Sequence, residues 1–345
     1  MTRVVGAQEL GKRVAREAAR TGVAPDRLRK WIASAALLEL FNVAFAEGRI
    51  SDYCIKGGFA VELRNPSLAR ASQDIDVVVT GDVSDRAMLE TVIAQAWTLF
   101  TFTIKSEERR DHATRLLLQA VYNNVPWTTI KLDIVREPVE AIEAVDAHNL
   151  TVYGLTGTSP IPCLSRSEQI AQYIHAISLP AVDGKRPSRA RNIVDIYVFD
   201  QYVGCDDGEV LTATIKIFER RATHTFPPTI DVPGTWHAEL TSIAAELELG
   251  LDGPGLVRYF TAFVARILGV PVSMNYEYHF MVLNALPNVP SIVGGALNDD
   301  AALEAFQRKT QSEGWKLVHL MRYPAQQVTH AMLAVLERPL TERAT

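Results

Sequence analysis

Two short segments of this chain carry aliphatic residues on one side and charged residues on the other, and this pattern constrains the fold most. In residues 74–79 and 130–134 the two types of residue alternate. Successive side chains of a β-strand point to opposite faces, so Asp74 and Asp76 would share one face, and Lys131 would share a face with Asp133. We therefore predict a sheet with one apolar face and one face that carries acids.

Helix and strand patterns alternate over the first 140 residues. Apolar residues recur every three or four positions over residues 28–45, which is the spacing of one buried helix face. Strand patterns follow at residues 53–55, 75–80, 100–105, 114–121 and 128–135. Either Asn123-Asn124 or Val125-Pro126 supplies the turn into the last strand. The alternation predicts an α/β fold with a mixed sheet.

The rest of the chain divides into two further blocks. We predict a first domain over residues 1–140, a mainly helical domain over 141–270, and a small α/β extension over 271–345. The extension is expected to contain a strand at 276–283, a helix at 300–312, a strand at 316–321 and a helix at 325–336. Its sequence does not indicate a chemical role.

Composition excludes several classes of protein. The 345 residues include 35 Lys and Arg and 40 Asp and Glu, which gives a net charge of −5. This excludes a protein that binds nucleic acid through an overall positive charge. The three cysteines, Cys54, Cys163 and Cys205, lack the spacing of a zinc site or a disulfide framework. Neither a signal peptide nor a long apolar stretch is evident. We expect a cytoplasmic protein without membrane contact.

Positive charge is nevertheless clustered. Residues 1–35 hold eight Lys and Arg against three acids, and Lys185, Arg186, Arg189 and Arg191 form a second cluster. Such clusters orient RNA by phosphate contacts. The alternative is that both clusters are only solvated helix faces.

The acids indicate a metal site. Two carboxylates on one strand face repel each other unless a cation lies between them, and Mg²⁺ prefers oxygen ligands and often also binds substrate phosphates. If the two strands are neighbours, Asp133 completes a trio with Asp74 and Asp76, and Lys131 can reach an anionic substrate. The alternative is that the acids occupy a solvated strand face.

Residues on either side of the metal pair favour a phosphate ligand. Lys56-Gly57-Gly58 lies between a strand-like and a helix-like segment, where glycines let backbone amides approach a phosphate at a helix N-terminus. Two residues close to the acids add a positive charge and a hydroxyl, namely Arg70 and Ser72. A glycine pair alone is more often just a turn.

Several sequence strings resemble one known family. KGGFAVELR, ARASQDIDVVV and IKLDIV resemble the nucleotidyltransferase fold of the AbiEii/AbiGii family, and SEQIAQYIHAI and RARNIVDIYVFDQ resemble its helical half. The likeness covers roughly residues 28–267. This family supplies toxins of type IV toxin–antitoxin and abortive-infection systems, including MenT-type enzymes that modify tRNA.

The resemblance implies roles for individual residues. Gly57, Gly58 and Ser72 would hold the triphosphate of an NTP, with Lys56 and Arg70 beside them. Asp74 and Asp76 would bind Mg²⁺, and Asp133 would be a further ligand or the base for the attacking hydroxyl. Catalysis would be two-metal in character. Asp195 matches an aspartate that the helical half of the family brings to the same cleft.

One position departs from the family pattern. The family lysine falls on Tyr173, which lacks positive charge but whose ring can stack on a base. Lys131, Lys185 or Arg191 are the candidates to replace it, while Asp195 could instead pair with Arg191 within its helix.

The resemblance implies a Mg²⁺-dependent nucleotidyltransferase toxin that transfers NMP from an NTP to RNA, above all to the 3′ end of tRNA, and that has a cognate antitoxin. Two alternatives stay open. The first is transfer to a protein or a small molecule, and the second is a nucleotide- or RNA-binding module that has lost catalysis.

Overall fold

The chain forms two compact units, residues 1–165 and 166–345. The structure is a computed structural model, and it describes residues 5–66, 69–81, 83–110, 113–146, 150–155, 159–182, 186–228, 230–269, 276–283, 308, 311–312, 316–322 and 332–339. Among these residues no helix is both long enough and apolar enough to cross a lipid bilayer. The predicted domain boundaries at residues 140 and 270 stay predictions.

The first unit is a seven-stranded mixed sheet with helices. Its helices are α1 (Ala7–Thr21), α2 (Pro25–Ala46), α3 (Gly57–Arg64) and α4 (Asp85–Ile93). Its strands are β1 (Tyr53–Lys56), β2 (Ile75–Val79), β3 (Phe100–Arg109), β4 (Ala113–Tyr122), β5 (Val125–Val135), β6 (Ile142–Val145) and β7 (Ile161–Leu164). The strand order is β3-β4-β5-β2-β1-β7-β6, in which β2 pairs with β5 and β1 with β7 in parallel.

The core of this unit lies between α2 and one face of the sheet. Residues 31–41 of α2 are all buried, because α1, α4 and the sheet pack around this helix. Ile75 and Val77 of β2 and Leu132 of β5 belong to the same apolar cluster. Since alternate residues face opposite sides of a strand, Asp76 and Asp133 point away from α2. The predicted division into an apolar and an acidic face is confirmed.

The second unit combines helices with a small sheet. Its helices are α5 (Arg166–Ser178), α6 (Ala190–Val198), α7 (Asp207–Arg221), α8 (His237–Glu246) and α9 (Gly253–Ile267). The strands β8 (Tyr276–Leu283), β9 (Lys316–Arg322) and β10 (Met332–Pro339) form an antiparallel sheet with β10 in the centre.

Most predicted elements are confirmed, and the turn before β5 is resolved. Asn123 and Asn124 both have positive φ, 49° and 59°, which is the conformation of a tight hairpin turn. Pro126 is therefore inside β5 rather than in the turn.

One predicted helix is contradicted in part, three elements were missed, and one predicted helix stays a prediction. The predicted helix at 325–336 is contradicted over residues 332–336, which belong to β10, and residues 325–331 lie outside the described residues. A short apolar run fits both periodicities, and the pairing with β8 and β9 decides between them. The strands β6 and β7 and the helix α7 were missed. The predicted helix at 300–312 falls almost entirely outside the described residues.

A partly buried hydrogen-bond chain links α5 to the segment after α7. Arg221 donates to Nδ1 of His175 over 3.3 Å, so Nε2 of His175 carries the proton that it donates to Thr223 over 2.9 Å. Thr223 donates to Nδ1 of His224 over 3.0 Å, and His224 donates through Nε2 to Ser178 over 2.8 Å. Because Nδ1 of His175 accepts from Arg221, His175 is neutral in this arrangement.

Acidification should therefore destabilise the second unit. Burial, followed by the charge of Arg221, lowers the pKa of His175 from 6.5 to about 3. Between these values the unfolded chain binds a proton that the folded chain excludes, so stability present above pH 6.5 is lost as the pH falls toward 3. We expect the free energy of unfolding in urea to drop by about 2 kcal/mol between pH 7 and pH 5 from His175 alone.

The variant His175→Gln should reduce this pH dependence, although it lowers stability at pH 7. His237, a half-buried histidine at the start of α8, gives the matched control His237→Gln. An equal pH slope in wild type and His175→Gln would contradict the assignment.

Candidate active site

Four charged residues lie side by side across four neighbouring strands of the first unit. The register pairs Lys56 of β1 with Asp76 of β2. It also pairs Asp76 with Asp133 of β5, and Asp133 with Arg115 of β4. Laterally paired residues project from the same face, so we call these four residues the charged row. Asp74, two residues before Asp76, lies at the same end of the sheet.

Arg115 binds two of the acids. Its Nε and Nη2 atoms donate to the two carboxylate oxygens of Asp133 over 2.6 and 2.5 Å, and Nη2 also donates to Asp74 over 2.9 Å. These charged partners raise the pKa of Arg115 further above its usual value, with the hydrogen bond to Asp133 as the largest cause. The guanidinium thus occupies the space between Asp74 and Asp133.

Burial and the clustered negative charge raise the pKa of Asp76. Desolvation of its carboxyl group and the neighbouring charge of Asp74 raise its pKa to about 7, while Lys56 opposes the shift. Lys56 also forms an ion pair with Glu137. The positive charges of the row therefore compensate its acids only in part.

The glycines that follow β1 let the backbone pass close to this row. Gly57 has a φ of +69°, and a Cβ atom there would lie 2.2 Å from Oδ2 of Asp76. A Cβ atom on Gly58 would lie 2.8 Å from Nη2 of Arg70. Only glycine fits at either position without displacing a charged side chain, and the N-terminus of α3 consequently lies against Asp76 and Arg70.

The loop that leads to Asp74 is held by two basic residues of α2. Arg27 donates to the carbonyl of Ala69 over 2.7 Å and pairs with Glu62 of α3 over 3.1 Å. Lys30 donates to the carbonyls of Ser72, over 3.1 Å, and of Gln73. Hydrogen bonds from α2 thus fix the loop that precedes Asp74.

Ser72 shapes this loop. Its backbone N–H donates to Glu62 over 3.1 Å, and its hydroxyl donates to the carbonyl of Asp74 over 2.6 Å. The residue is buried, so in this structure its hydroxyl fixes the backbone just before the strand.

A pocket of about 230 Å³ opens beside Asp74. Its wall includes the aromatic residues Trp31 and Phe59, and the hydroxyl of Ser34, which is 1% exposed, has no hydrogen-bond partner within the described residues. Ser72 and Asp74 form part of the rim. Asp74 is therefore accessible from this side.

The remaining predicted residues lie on β5 or belong to the second unit. Lys131 is exposed on β5 and, by repulsion, contributes to lowering the pKa of Lys30, whose main cause is burial. Asp195 on α6 and Tyr173 on α5 belong to the second unit, where they are 1% and 8% exposed. Gln169 donates to the hydroxyl of Tyr173 over 2.8 Å. Arg191 pairs with Glu239 over 3.4 Å, and Lys185 lies outside the described residues.

Sequence reasoning missed three residues of this site, namely Arg115, Arg27 and Lys30. Arg115 could have been found in the sequence, because it is a charged residue in the mainly aliphatic strand β4, on the face opposite Leu116 and Leu118. The two basic residues of α2 had only been counted as surface charge.

The acids do not enclose a common centre in this structure. Within the residues that the structure describes, no group of three or more His, Cys, Asp or Glu is arranged to hold a metal ion. The guanidinium of Arg115 lies between Asp74 and Asp133.

One protein family matches this chain. The model of the nucleotidyl transferase AbiEii toxin family, described as a type IV toxin–antitoxin system, matches residues 49–267. The match includes the charged row, the glycine pair and the loop to Asp74. None of the curated proteins matches the chain.

Several solved structures are similar to this chain. MenT4, a nucleotidyltransferase toxin from Mycobacterium tuberculosis H37Rv, is 20% identical over 74% of this chain and 97% of its own length, with a TM-score of 0.46. JHP933 from Helicobacter pylori is 14% identical over 71% of this chain and 92% of its own, with a TM-score of 0.43. The antibiotic-resistance factor ANT(2″)-Ia is 20% identical over 55% of this chain and 93% of its own, with a TM-score of 0.31.

The close approach at Gly57 leads to a stability prediction. In Gly57→Ala the methyl group adds left-handed strain of about 1–2 kcal/mol and also displaces the carboxylate of Asp76. We expect Gly57→Ala to lower the free energy of unfolding, measured in urea, by about 1 kcal/mol more than the strain alone.

Gly48 provides the matched control, because its φ of +68° is nearly the same and no atom lies within 4 Å of an added Cβ. Gly48→Ala should show the strain without the displacement. Equal losses in the two variants would refute the role of Gly57 as a spacer for Asp76.

Proposed function

The chain belongs to the AbiEii family of nucleotidyltransferase toxins, and from that premise we propose that it transfers a nucleoside monophosphate from an NTP to RNA, with the 3′ end of tRNA as the acceptor. The observation that carries the proposal is the charged row with Asp74 at its side, beside a glycine turn and a helix N-terminus. This combination provides acids for a cation and backbone amides for phosphates.

The donor set fits a divalent cation. Asp74, Asp76 and Asp133 offer only carboxylate oxygens, the hard ligands that Mg²⁺ prefers. In the proposed arrangement Asp74 and Asp76 hold Mg²⁺, with Asp133 as a third ligand. When bound, Mg²⁺ neutralises the phosphates of the NTP and stabilises the charge of the departing pyrophosphate.

The chain's own residues would orient the reactants. The amides at Gly57 and Gly58, at the positive end of α3, face the triphosphate, and Lys56 and Arg70 add positive charge there. Lys131, exposed beside Asp133 on β5, is available to an anionic substrate. In this arrangement Ser72 acts through the backbone of Asp74.

The proposed reaction is a displacement at the α-phosphorus. The acceptor hydroxyl forms a bond to that phosphorus, the bond to the pyrophosphate oxygen breaks, and pyrophosphate leaves. In the alternative in which Asp133 acts as the base, the proton of the hydroxyl passes to a carboxylate oxygen of Asp133 that does not bind the cation. Family resemblance also suggests a catalytic role for Asp195 and a place for Tyr173 against the nucleobase, and we retain both as proposals.

RNA as the acceptor is supported by local rather than total charge. Lys12 and Arg16 are exposed on α1, and Arg189 is exposed just before α6. Such residues orient a phosphate backbone. Because the family is described as part of a type IV toxin–antitoxin system, we expect a cognate antitoxin as a partner. Since the proposed donor is an NTP and the proposed acceptor is RNA, we propose that the reaction takes place in the cytoplasm.

Loss of a single acid should abolish the reaction. We expect Asp74→Ala to lower nucleotidyl transfer about 100-fold or more, because several kcal/mol of charge stabilisation are lost. The assay incubates purified protein with Mg²⁺, total RNA and each labelled NTP, and follows label in RNA and in protein. Asp52→Asn, which removes an exposed acid of the same unit, is the control and should retain activity.

The same assay distinguishes the acceptors. Label in RNA that terminates at the tRNA 3′ end supports the proposal, while label in protein alone would replace RNA by a protein acceptor. Absence of any label with all four NTPs in wild type would favour a binding module without catalysis.

Metal removal provides an independent test. We expect EDTA to stop the transfer, and Mg²⁺ in excess to restore it, because the carboxylates cannot bind an anionic NTP without a cation. Full activity after exhaustive chelation would contradict the metal assignment. Ca²⁺, which is larger and binds with more ligands, should restore binding of NTP but little transfer.

A further inference from the structure

We propose that Arg115 is a built-in substitute for the metal ion: its guanidinium holds Asp74 and Asp133 in place when no metal is bound, and the binding of metal and NTP displaces it onto a phosphate. This inference rests on the proposed function, since it assumes that these acids bind a divalent cation. Neither the family match nor the residue pattern assigns a role to Arg115.

Arg115 uses both carboxylate oxygens of Asp133 and one of Asp74, at distances between 2.5 and 2.9 Å. A Mg²⁺ ion held by these acids would draw on oxygens of the same two carboxylates. The guanidinium and the ion therefore compete for the same space.

The strand register fixes the contact between Arg115 and Asp133. Arg115 and Asp133 are register partners on β4 and β5, so the backbone pairing itself places them side by side. The side chain of Arg115 is 22% exposed, compared with 85% for Arg109 on the edge strand β3. The contact thus belongs to the interior of the sheet.

The displaced side chain of Arg115 stays close to the site. The backbone of β4 keeps Arg115 in register with Asp133, so its guanidinium remains within a side-chain length of any phosphate that the acids bind through a cation. The planar fork of donors in arginine matches phosphate as well as carboxylate. A single residue then serves two states, replacing the metal in one and binding the nucleotide in the other.

The test measures metal binding without nucleotide or RNA. Binding of Mn²⁺ to the full-length protein is followed by loss of the free-ion EPR signal for wild type, Arg115→Gln, Arg115→Lys and Asp74→Ala. We expect Arg115→Gln to bind Mn²⁺ about tenfold more tightly or better, and Arg115→Lys to lie between, because lysine keeps the charge but cannot bridge two carboxylates. Asp74→Ala should bind more weakly than wild type.

The second measurement is nucleotide affinity. Calorimetry with Ca²⁺ and each of ATP, CTP, GTP and UTP should give about tenfold weaker binding for Arg115→Gln than for wild type, because one charge-assisted contact to phosphate is lost. Arg86→Gln, which removes one positive charge that pairs with Glu90 and Glu107 on the surface, should change neither affinity.

Opposite shifts of the two affinities are the signature of the proposal. A purely structural Arg115 would instead lower the melting temperature and weaken Mn²⁺ binding, and that outcome would overturn the proposal. Unchanged nucleotide affinity in Arg115→Gln would overturn the transfer of the side chain to phosphate.

Failure of this inference can be separated from failure of the proposed function. If Asp74→Ala binds Mn²⁺ as well as wild type, the metal site itself is refuted and the proposed function fails with it. If Mn²⁺ binding depends on Asp74 but is the same in Arg115→Gln as in wild type, only the role of Arg115 is refuted.

Discussion

Two neighbouring acids in register, Asp76 on β2 and Asp133 on β5, are the constraint on which the site depends. Like charges directly opposite each other on adjacent strands destabilise a sheet. The strands on either side compensate this repulsion with positive charges, since Lys56 is paired with Asp76 and Arg115 with Asp133. The compensation is partial, because burial and the charge of Asp74 still raise the pKa of Asp76 to about 7. The fold thus carries a deficit of positive charge at the position where the proposed chemistry needs a cation.

The geometry of this row depends on packing far from the sheet face. Helix α2 is buried on all sides over residues 31–41, so its position is fixed by the core. From that helix, Arg27 and Lys30 reach the carbonyls of the loop before β2 and fix the approach to Asp74. Burying these basic groups is favourable only because each finds charged or carbonyl partners. The position of Asp74 therefore depends on how α2 packs in the core.

The sequence predicted those parts of the site that follow from local periodicity. Alternation along two strands identified Asp74, Asp76 and Asp133 as residues of one face. The glycine pair was predicted to let the backbone approach a phosphate, and the structure adds that Gly57 lies close to Asp76. Arg115 was not identified, because its role arises from the register between β4 and β5, which no local pattern encodes. The strand β10 was missed for a similar reason, since its apolar run fits either periodicity until its two partner strands are known.

The same distinction applies to the basic residues that the sequence groups into two clusters. Within α1, Arg13 pairs with Glu9 and Arg20 with Glu17, so part of that charge is used locally. In the second cluster, Arg186 donates to backbone carbonyls and stacks over Trp236 at 5.2 Å, because burial of its guanidinium demands such partners. A count of Lys and Arg thus overstates the charge available to an RNA backbone. For a chain with a net charge of −5, attraction of RNA over long distances is weak. Selection of an acceptor by this protein would then depend on contacts close to the acids rather than on a broad positive surface.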